Sequence, residues 1–419
     1  MSMIRIFACA VLCLAGGSRA LAQSPSPSPS PSSSPSASPA PSVAAPVPSP
    51  TATSFKLVTL SGFADAGFTA VGLTDQVRFT SGVPSRIFDG ATGAFADANG
   101  GRQLASPNDF NRTPNLQNLN LQLLLNGSVV SAKFEGSFGS DADVIASNGQ
   151  SRAGANLTQG YLQFVKGAAT LLVGKFSSVA GAEVIESPSN TNFSRSFLFG
   201  DAVPFTHTGV RLTYAATPKI SIVGGVNDGW DDWKFAGKKK TLEGALVLNP
   251  SPGYSLTLDT YNGSEFALNG NSNLGAVPVL SNRSLYDGVL TLHPTSALTI
   301  VANYDNGTQL ADGTNAFQTA RWNGAAAYLN YQLNPRYGVS LRKESFHDTQ
   351  GFRTGTPQRL QSNTATLAVT LESNFVLRFE YRLDASDAPA FTYRGYNPVT
   401  DTGRNRQSSI GFETIVKFP

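Results

Sequence analysis

The segment NFVLRFEYRLD, Asn374 to Asp384, sets Phe375, Leu377, Phe379, Tyr381 and Leu383 in alternation with Val376, Arg378, Glu380, Arg382 and Asp384. Successive side chains of a strand leave on opposite faces, so this strand offers an apolar row to one environment and mostly charged groups to another. The alternation recurs in segments of about ten residues, the length a tilted strand needs to cross a bilayer. It predicts strands near 55–71, 116–126, 128–139, 156–166, 168–177, 205–216, 219–228, 239–249, 253–263, 283–292, 296–305, 321–333, 336–346, 360–371, 374–384 and 406–418. That is about sixteen, within a range of about 12 to 18, and an even number suits an antiparallel barrel.

The connections alternate between tight and long. Asn126-Gly127, Lys166-Gly167, Thr217-Pro218, Asn249-Pro250-Ser251-Pro252, His293-Pro294-Thr295, Asn334-Pro335 and Glu372-Ser373 are tight, and most carry turn-forming residues. Long ones cover about 72–115, 140–155, 178–204, 229–238, 264–282, 306–320, 347–359 and 385–405, rich in Gly, Asn, Asp, Ser and Thr. Short periplasmic turns and long external loops mark outer-membrane barrels, and a soluble sandwich has no need of that rhythm. The expected fold is all-β: a transmembrane antiparallel up-and-down barrel over 55–419.

Facing follows from parity. Leu119, Leu121, Leu123 and Leu125 meet lipid while Asn118, Asn120, Gln122 and Leu124 look inward. The same reading turns Lys133, Glu135, Lys175, Arg211, Glu243, Asp259, Asp305, Arg342, Glu344, Arg378, Glu380, Arg382 and Glu413 into the lumen. Charges of both signs on that wall imply water inside. Tyr214, Tyr254, Tyr304, Tyr331, Tyr337 and Phe375 fall at or near strand ends and fit either interfacial girdles or ordinary strand composition.

The amino terminus reads as a cleaved secretory signal over 1–22: Arg5, an apolar run Ile6 to Ala15, and Ala20-Leu21-Ala22. Cys9 and Cys13, the two cysteines of the chain, leave with it, so no disulfide or thiolate metal site is expected. Export without an apolar run long enough for a spanning helix points to the envelope of a Gram-negative cell. Residues 23–54 form an uncharged Pro/Ser/Ala segment that cannot build a core. It reads as an extended periplasmic linker, of reach at most about 95 Å in polyproline II.

Of 31 basic residues, Arg5 and Arg19 go with the signal, leaving 29 against 28 acidic. That balance implies no nucleic-acid partner. His207, His293 and His347 are dispersed without metal-ligand spacing, no motif identifies an activated serine, and Gly224-Gly225 lacks the context of a phosphate cradle. Lys238-Lys239-Lys240 beside Asp231 and Asp232 reads as a solvated loop edge. No enzyme activity, cofactor or metal is expected.

One long loop is too apolar for solvent. Between the fifth and sixth strands, Val184, Ile185, Phe193, Phe197, Leu198, Phe199 and Phe205 need burial, and the lumen or the rim is where a barrel loop finds it. GKF at 174–176, GAEVIE at 181–186, NFSRSFLFG at 192–200, PFTHTGVRLTY at 204–214, VNDGWDDW at 226–233 and KTLEG at 240–244 resemble the OmpL-like β-barrel porin family. The resemblance extends from about Val58 to Phe418 and departs at Asn227-Asp228-Gly229-Trp230, where the family has Asn-Gly-Trp-Asp. It implies an outer-membrane porin without naming a substrate.

General porins fold their third long loop inward, and 178–204 is the third by this count. Glu183, Glu186, Arg195 and Asp201 are then constriction candidates. Lys175, Arg211, Arg342, Glu344, Arg378, Glu380 and Arg382 are pore-lining candidates, where opposed charges would filter solutes. The same loop also fits a cap, with Arg195 paired to a carboxylate. Expected partners are outer-membrane lipid, the barrel assembly machinery, which reads a final strand here ending Phe418-Pro419, and small hydrophilic solutes. General porins often form trimers, so a homotrimer is one assembly to expect. A non-conducting structural or adhesive barrel is the alternative reading.

Overall fold

The computed structural model describes residues 57–71, 77–79, 88–89, 94–95, 115–150, 154–234, 240–269, 277–310, 319–354, 357–393 and 404–419. The predicted signal (1–22) and linker (23–54), Lys238 and Lys239 lie outside the described residues, together with parts of the long loops expected at 72–115, 264–282, 306–320 and 385–405.

Sixteen strands close into one antiparallel barrel. They are β1 (Leu57–Val71), β2 (Asn115–Asn126), β3 (Val130–Phe138), β4 (Ala155–Lys166), β5 (Ala169–Ser177), β6 (Thr206–Thr217), β7 (Ile220–Asn227) and β8 (Thr241–Ser251), followed by β9 (Tyr254–Asn269), β10 (Val277–Leu292), β11 (Leu298–Gln309), β12 (Ala320–Gln332), β13 (Tyr337–Asp348), β14 (Gln358–Glu372), β15 (Phe375–Ser386) and β16 (Arg406–Phe418). Each pairs with its sequence neighbours, and β1 closes on β16 with Gly62 opposite Phe418 and Val71 opposite Ser409. Closure leaves the barrel no free strand edge.

The turns follow their chemistry. Gly167 takes a φ of 58° between β4 and β5, a conformation a side chain would strain. Between β12 and β13 the Asn334 side chain accepts N–H bonds from Arg336 (2.9 Å) and Tyr337 (3.1 Å), an Asx turn. Pro250 lies in β8 where its register with β9 shifts between Leu248 and Ser251, a place where a missing donor costs no ladder bond.

Parity assigns the faces as expected. On β15 Phe379 is 48% exposed, with Tyr381 and Leu383 similar, whereas Arg378, Glu380, Arg382 and Asp384 are buried. Outward apolar residues recur around the wall, among them Leu60, Phe134, Leu162, Leu212, Ile222, Leu258, Leu341 and Leu367. A soluble protein would not leave such a band in water; lipid is its solvent.

Two strands run past their predicted ends. β9 reaches Asn269 and β10 begins at Val277, so the loop expected at 264–282 is mostly strand. There Asn262 and Ser264 face outward while Glu265 faces in. Outward Asn282 and Ser284 lie opposite them, so next to the predicted strand ends both faces are polar and the apolar/polar contrast that betrays a strand within lipid is interrupted.

The hydrophobic core lies inside the barrel. Phe197, Leu198, Ala202 and Val203 of the β5–β6 loop pack with Tyr261, Leu285, Val289, Val301, Trp322, Tyr328 and Phe346 of the inner wall. Ile185, Phe199 and Phe205 of the same loop form a second cluster with Val144 and Ile145, from the short helix Ser140–Ile145. The Gly307 backbone faces Trp322 across the β11–β12 ladder, and a side chain there would run into the indole.

Candidate functional site: the loop seated on the inner wall

The loop between β5 and β6 is fixed chiefly through its backbone. The N–H groups of Phe193 and Ser194 donate to the two oxygens of Glu380, at 2.8 and 3.0 Å. Phe197 N–H donates to Glu344 (2.6 Å), Gly181 N–H to Asp287 (3.0 Å), Ala182 N–H to the Asn303 side-chain carbonyl (3.2 Å) and Val179 N–H to the Tyr261 hydroxyl (3.2 Å). These wall residues come from β9 to β15, so the loop crosses the lumen. A carboxylate taking two amide N–H bonds is a strong, charge-assisted anchor.

Arginines of the wall hold the loop's carbonyls. Arg342 Nη1 donates to Ser194 O (2.6 Å) and to Glu183 Oε1 (2.7 Å), the ion pair that joins wall to loop. Arg382 Nη1 donates to Arg195 O (2.8 Å), and its Nε pairs with Asp384 (2.7 Å). Arg378 donates to Ser187 O and Asn190 O and pairs with Glu413 at 2.9 Å. The Phe193 ring lies against Gly67 and Gly411, whose missing side chains make room for it.

The candidate residues fall into two groups. Arg342, Glu344, Arg378, Glu380 and Arg382 come together with Glu183 under the loop. The five wall residues are each 5% exposed or less, so these charges face the loop rather than water. Arg195 is turned into its own loop: Nε donates to Val184 O, Nη1 to Phe193 O and Nη2 to Ile185 O, at 2.9 to 3.1 Å. It serves loop carbonyls, and among the described residues it forms no ion pair. Asp201 sits at the far end of the loop in the turn Leu198–Ala202, where its backbone carbonyl accepts from Arg353 Nε at 2.6 Å.

Glu186 lies apart from that group, against β3 and β4. Gln159 Nε2 donates to it at 3.4 Å and to Glu135 at 2.7 Å. Burial, and after it the neighbouring Glu135 charge, pushes the Glu186 carboxyl up to about 7. Lys175 donates to Leu157 O (2.8 Å) and Gln150 Oε1 (3.1 Å). Arg211 pairs with Glu243 (2.6 Å) and donates to Ser177 O (2.9 Å), beside the root of the loop. Lys240 pairs with Asp228, in keeping with a loop edge.

Sequence reasoning missed a second cluster. Trp322 donates Nε1–H to Ala202 O at 3.1 Å and stands edge-on to Trp230 and stacked with Phe352. The Arg283 and Arg353 guanidinium groups lie over these rings at 5.0 to 6.0 Å. The residues come from four separate segments, so no local motif announces them; the one signal was three tryptophans in a chain of 419 residues.

A closed sixteen-stranded barrel with an apolar outer wall, a charged inner wall and a long loop seated on that wall has the architecture of outer-membrane porins. The chain belongs to the family described as "Putative beta-barrel porin-2, OmpL-like", which it matches over residues 88–418. None of the curated proteins matches it. The barrel is similar to an anion-selective porin from Comamonas acidovorans, at TM-score 0.56 and 10% identity over 86% of this chain and 99% of that one. It is also similar to the trimer form of OmpT, an outer membrane protein of Vibrio cholerae (TM-score 0.54, 10% identity, 86% and 99% coverage). A third is OprB of Pseudomonas putida (TM-score 0.52, 11% identity, 86% and 94%). At such identities the likeness is one of fold.

Proposed function

We propose that this porin passes small hydrophilic solutes or ions by passive diffusion, with residues 178–204 as the constriction that sets its bore. What supports the reading is the seating of that loop: Glu344 and Glu380 accept its amides, and Arg342, Arg378 and Arg382 grip its carbonyls. A loop so held has a fixed position, which a size filter requires. Glu183 and Arg342 fix it, and Glu186 is the loop acid that titrates beside the wall. The mechanism needs no catalytic residue and no cofactor. Long loops would face outward and tight turns the periplasm, and a homotrimer is the assembly we expect.

Purified, folded protein in planar bilayers should show discrete conductance steps. Silent bilayers, with folding verified by heat-dependent gel mobility, would reject the channel.

One observation favours a second reading. Phe197, Leu198, Trp322 and Phe346 are wholly buried, so the lumen beside β9 to β14 is filled by side chains. A non-conducting structural barrel would share that trait. Liposome swelling in sugars of graded size separates the two: a size-dependent rate belongs to a narrowed channel, and no swelling at any size to a closed barrel.

A further inference from the structure

The charged residues of β1 to β11 face inward, except Lys166 at the tight-turn rim. Asp65, Glu135, Lys175, Arg211, Glu243 and Asp287 illustrate the rule, each 5% exposed or less. The outer wall breaks it in one place. Arg321 on β12, Lys343 on β13, Arg359 on β14 and Arg406 on β16 all point outward and are exposed. His347 joins them, directly opposite Arg359 in the β13–β14 ladder.

The surroundings of these cations are polar and uncharged. Asn323 stands opposite His347, Asn363 opposite Lys343, and Gln361 opposite Ala385, which in turn faces Arg406. Asp387, just past β15, turns its carboxylate to the backbone, accepting the N–H of Arg359 at 2.7 Å. None of the four cationic side chains enters an ion pair among the described residues. Exposed acids or bases elsewhere on these outer faces, Glu372 and Lys417, lie at the tight-turn ends of β14 and β16.

Height decides what they meet. Lys343 is six positions from the tight-turn end of its strand, level with outward Tyr286, Tyr304 and Tyr381, each also six positions from its own strand's end. Arg321, Arg359, Arg406 and His347 lie four to seven positions farther toward the long loops, roughly 10 to 18 Å beyond that aromatic level. An apolar band about 25 Å tall takes up about ten positions of a strand tilted about 40°, so the three arginines and His347, at least ten positions from their tight-turn ends, stand at its upper edge among the headgroups, while Lys343 lies within the band and extends its stem toward them. Cations clustered on one side of a lipid-facing wall, with no ion pair among the described residues, are suited to an anion from the lipid. Guanidinium forks fit phosphate oxygens.

We propose that the outer face of β12–β16 near the long loops binds a phosphate-bearing glycolipid headgroup of the leaflet on that side. Arg321, Arg359 and Arg406 hold phosphate, Lys343 takes the group nearest the hydrocarbon, and Asn363 and Gln361 meet sugar hydroxyls. The site is independent of whether the lumen conducts.

The test is native mass spectrometry of the folded barrel in detergent, with lipopolysaccharide and with the same lipid stripped of its phosphates as probes. Wild-type protein should retain the phosphorylated lipid and lose the stripped one. The R321Q/K343Q/R359Q/R406Q variant should weaken retention at least tenfold. A charge-matched variant at the opposite rim, K166Q/K219Q/R336Q/K417Q, should retain the lipid like wild type. If the fourfold variant does not fold, R321Q/R406Q, which lies outside the hydrocarbon, should show a several-fold loss. Equal retention of stripped lipid, unchanged retention by both patch variants, equal loss in the opposite-rim variant, or chemical cross-links through Lys343 to a second copy would overturn the proposal.

Discussion

Glu186 is the loop residue whose charge depends on ordinary changes of pH. Its carboxyl is pushed up to about 7, above the value near 4.3 of an unfolded chain, so the folded loop binds the proton more tightly. Stability from this group is therefore present at low pH and lost as pH rises from about 4.3 to about 7. E186Q should melt with wild type at pH 5 and above it at pH 8; identical melting differences at both values would show that Glu186 does not titrate against Glu135. Arg195 supports a different expectation. Its donors serve three loop carbonyls, each of which costs about 1–3 kcal/mol when left unmet and buried. R195M should raise hydrogen exchange of the 184–196 amides several-fold without changing that of β15. The sequence placed Arg195 in the right loop but could not orient it, because a guanidinium chooses among carbonyls that only the folded loop brings together. The partners of Arg342, Arg378 and Arg382 were equally hidden, since a main-chain carbonyl leaves no trace in residue types.

Strands immersed in lipid were the most legible elements, for a physical reason. On β15 each outward residue is apolar and most inward ones are charged, so solvent contrast writes the alternation into the chain. Phe379, which packs against Phe412 on the outer wall at 5.1 Å, tests that reading. F379R should destabilise the barrel by about 2–4 kcal/mol in denaturant titrations if it lies near the midplane. A change below the error of the titration would reverse the facing of the strand. The upper parts of β9 and β10 were read as loop because outward Asn262, Ser264, Asn282 and Ser284 interrupt the apolar row. The short helix Ser140–Ile145 was missed as well, being a single turn and a half whose apolar Val144 and Ile145 find their partners in another loop.

For the whole molecule, the sequence showed that the β5–β6 loop needed burial but not what would bury it. The wall's contribution is scattered: Tyr261, Leu285, Val301 and Phe346 interrupt mostly polar inward rows too sparsely for a pattern. Only closure of sixteen strands gathers them. Removing Phe197 and Leu198 tests their joint effect on bore and stability. F197A/L198A should destabilise the barrel by several kcal/mol, each truncation contributing about 2–5, and should raise single-channel conductance by widening the lumen. Unchanged conductance in a destabilised barrel would place the solute route away from this cluster.

The loop is held mainly by amides that every residue except proline possesses, offered to carboxylates that belong to the wall. Seat and surface are thus encoded in different stretches of the chain. The half-buried side chains of the loop, Ala182, Val184, Glu186, Pro188, Ser189 and Thr191, can be exchanged without unseating it, provided that no proline enters at an anchoring amide such as that of Ala182. The bore of such a barrel can drift toward new solutes while its scaffold stays still, and a designer can reset one without rebuilding the other.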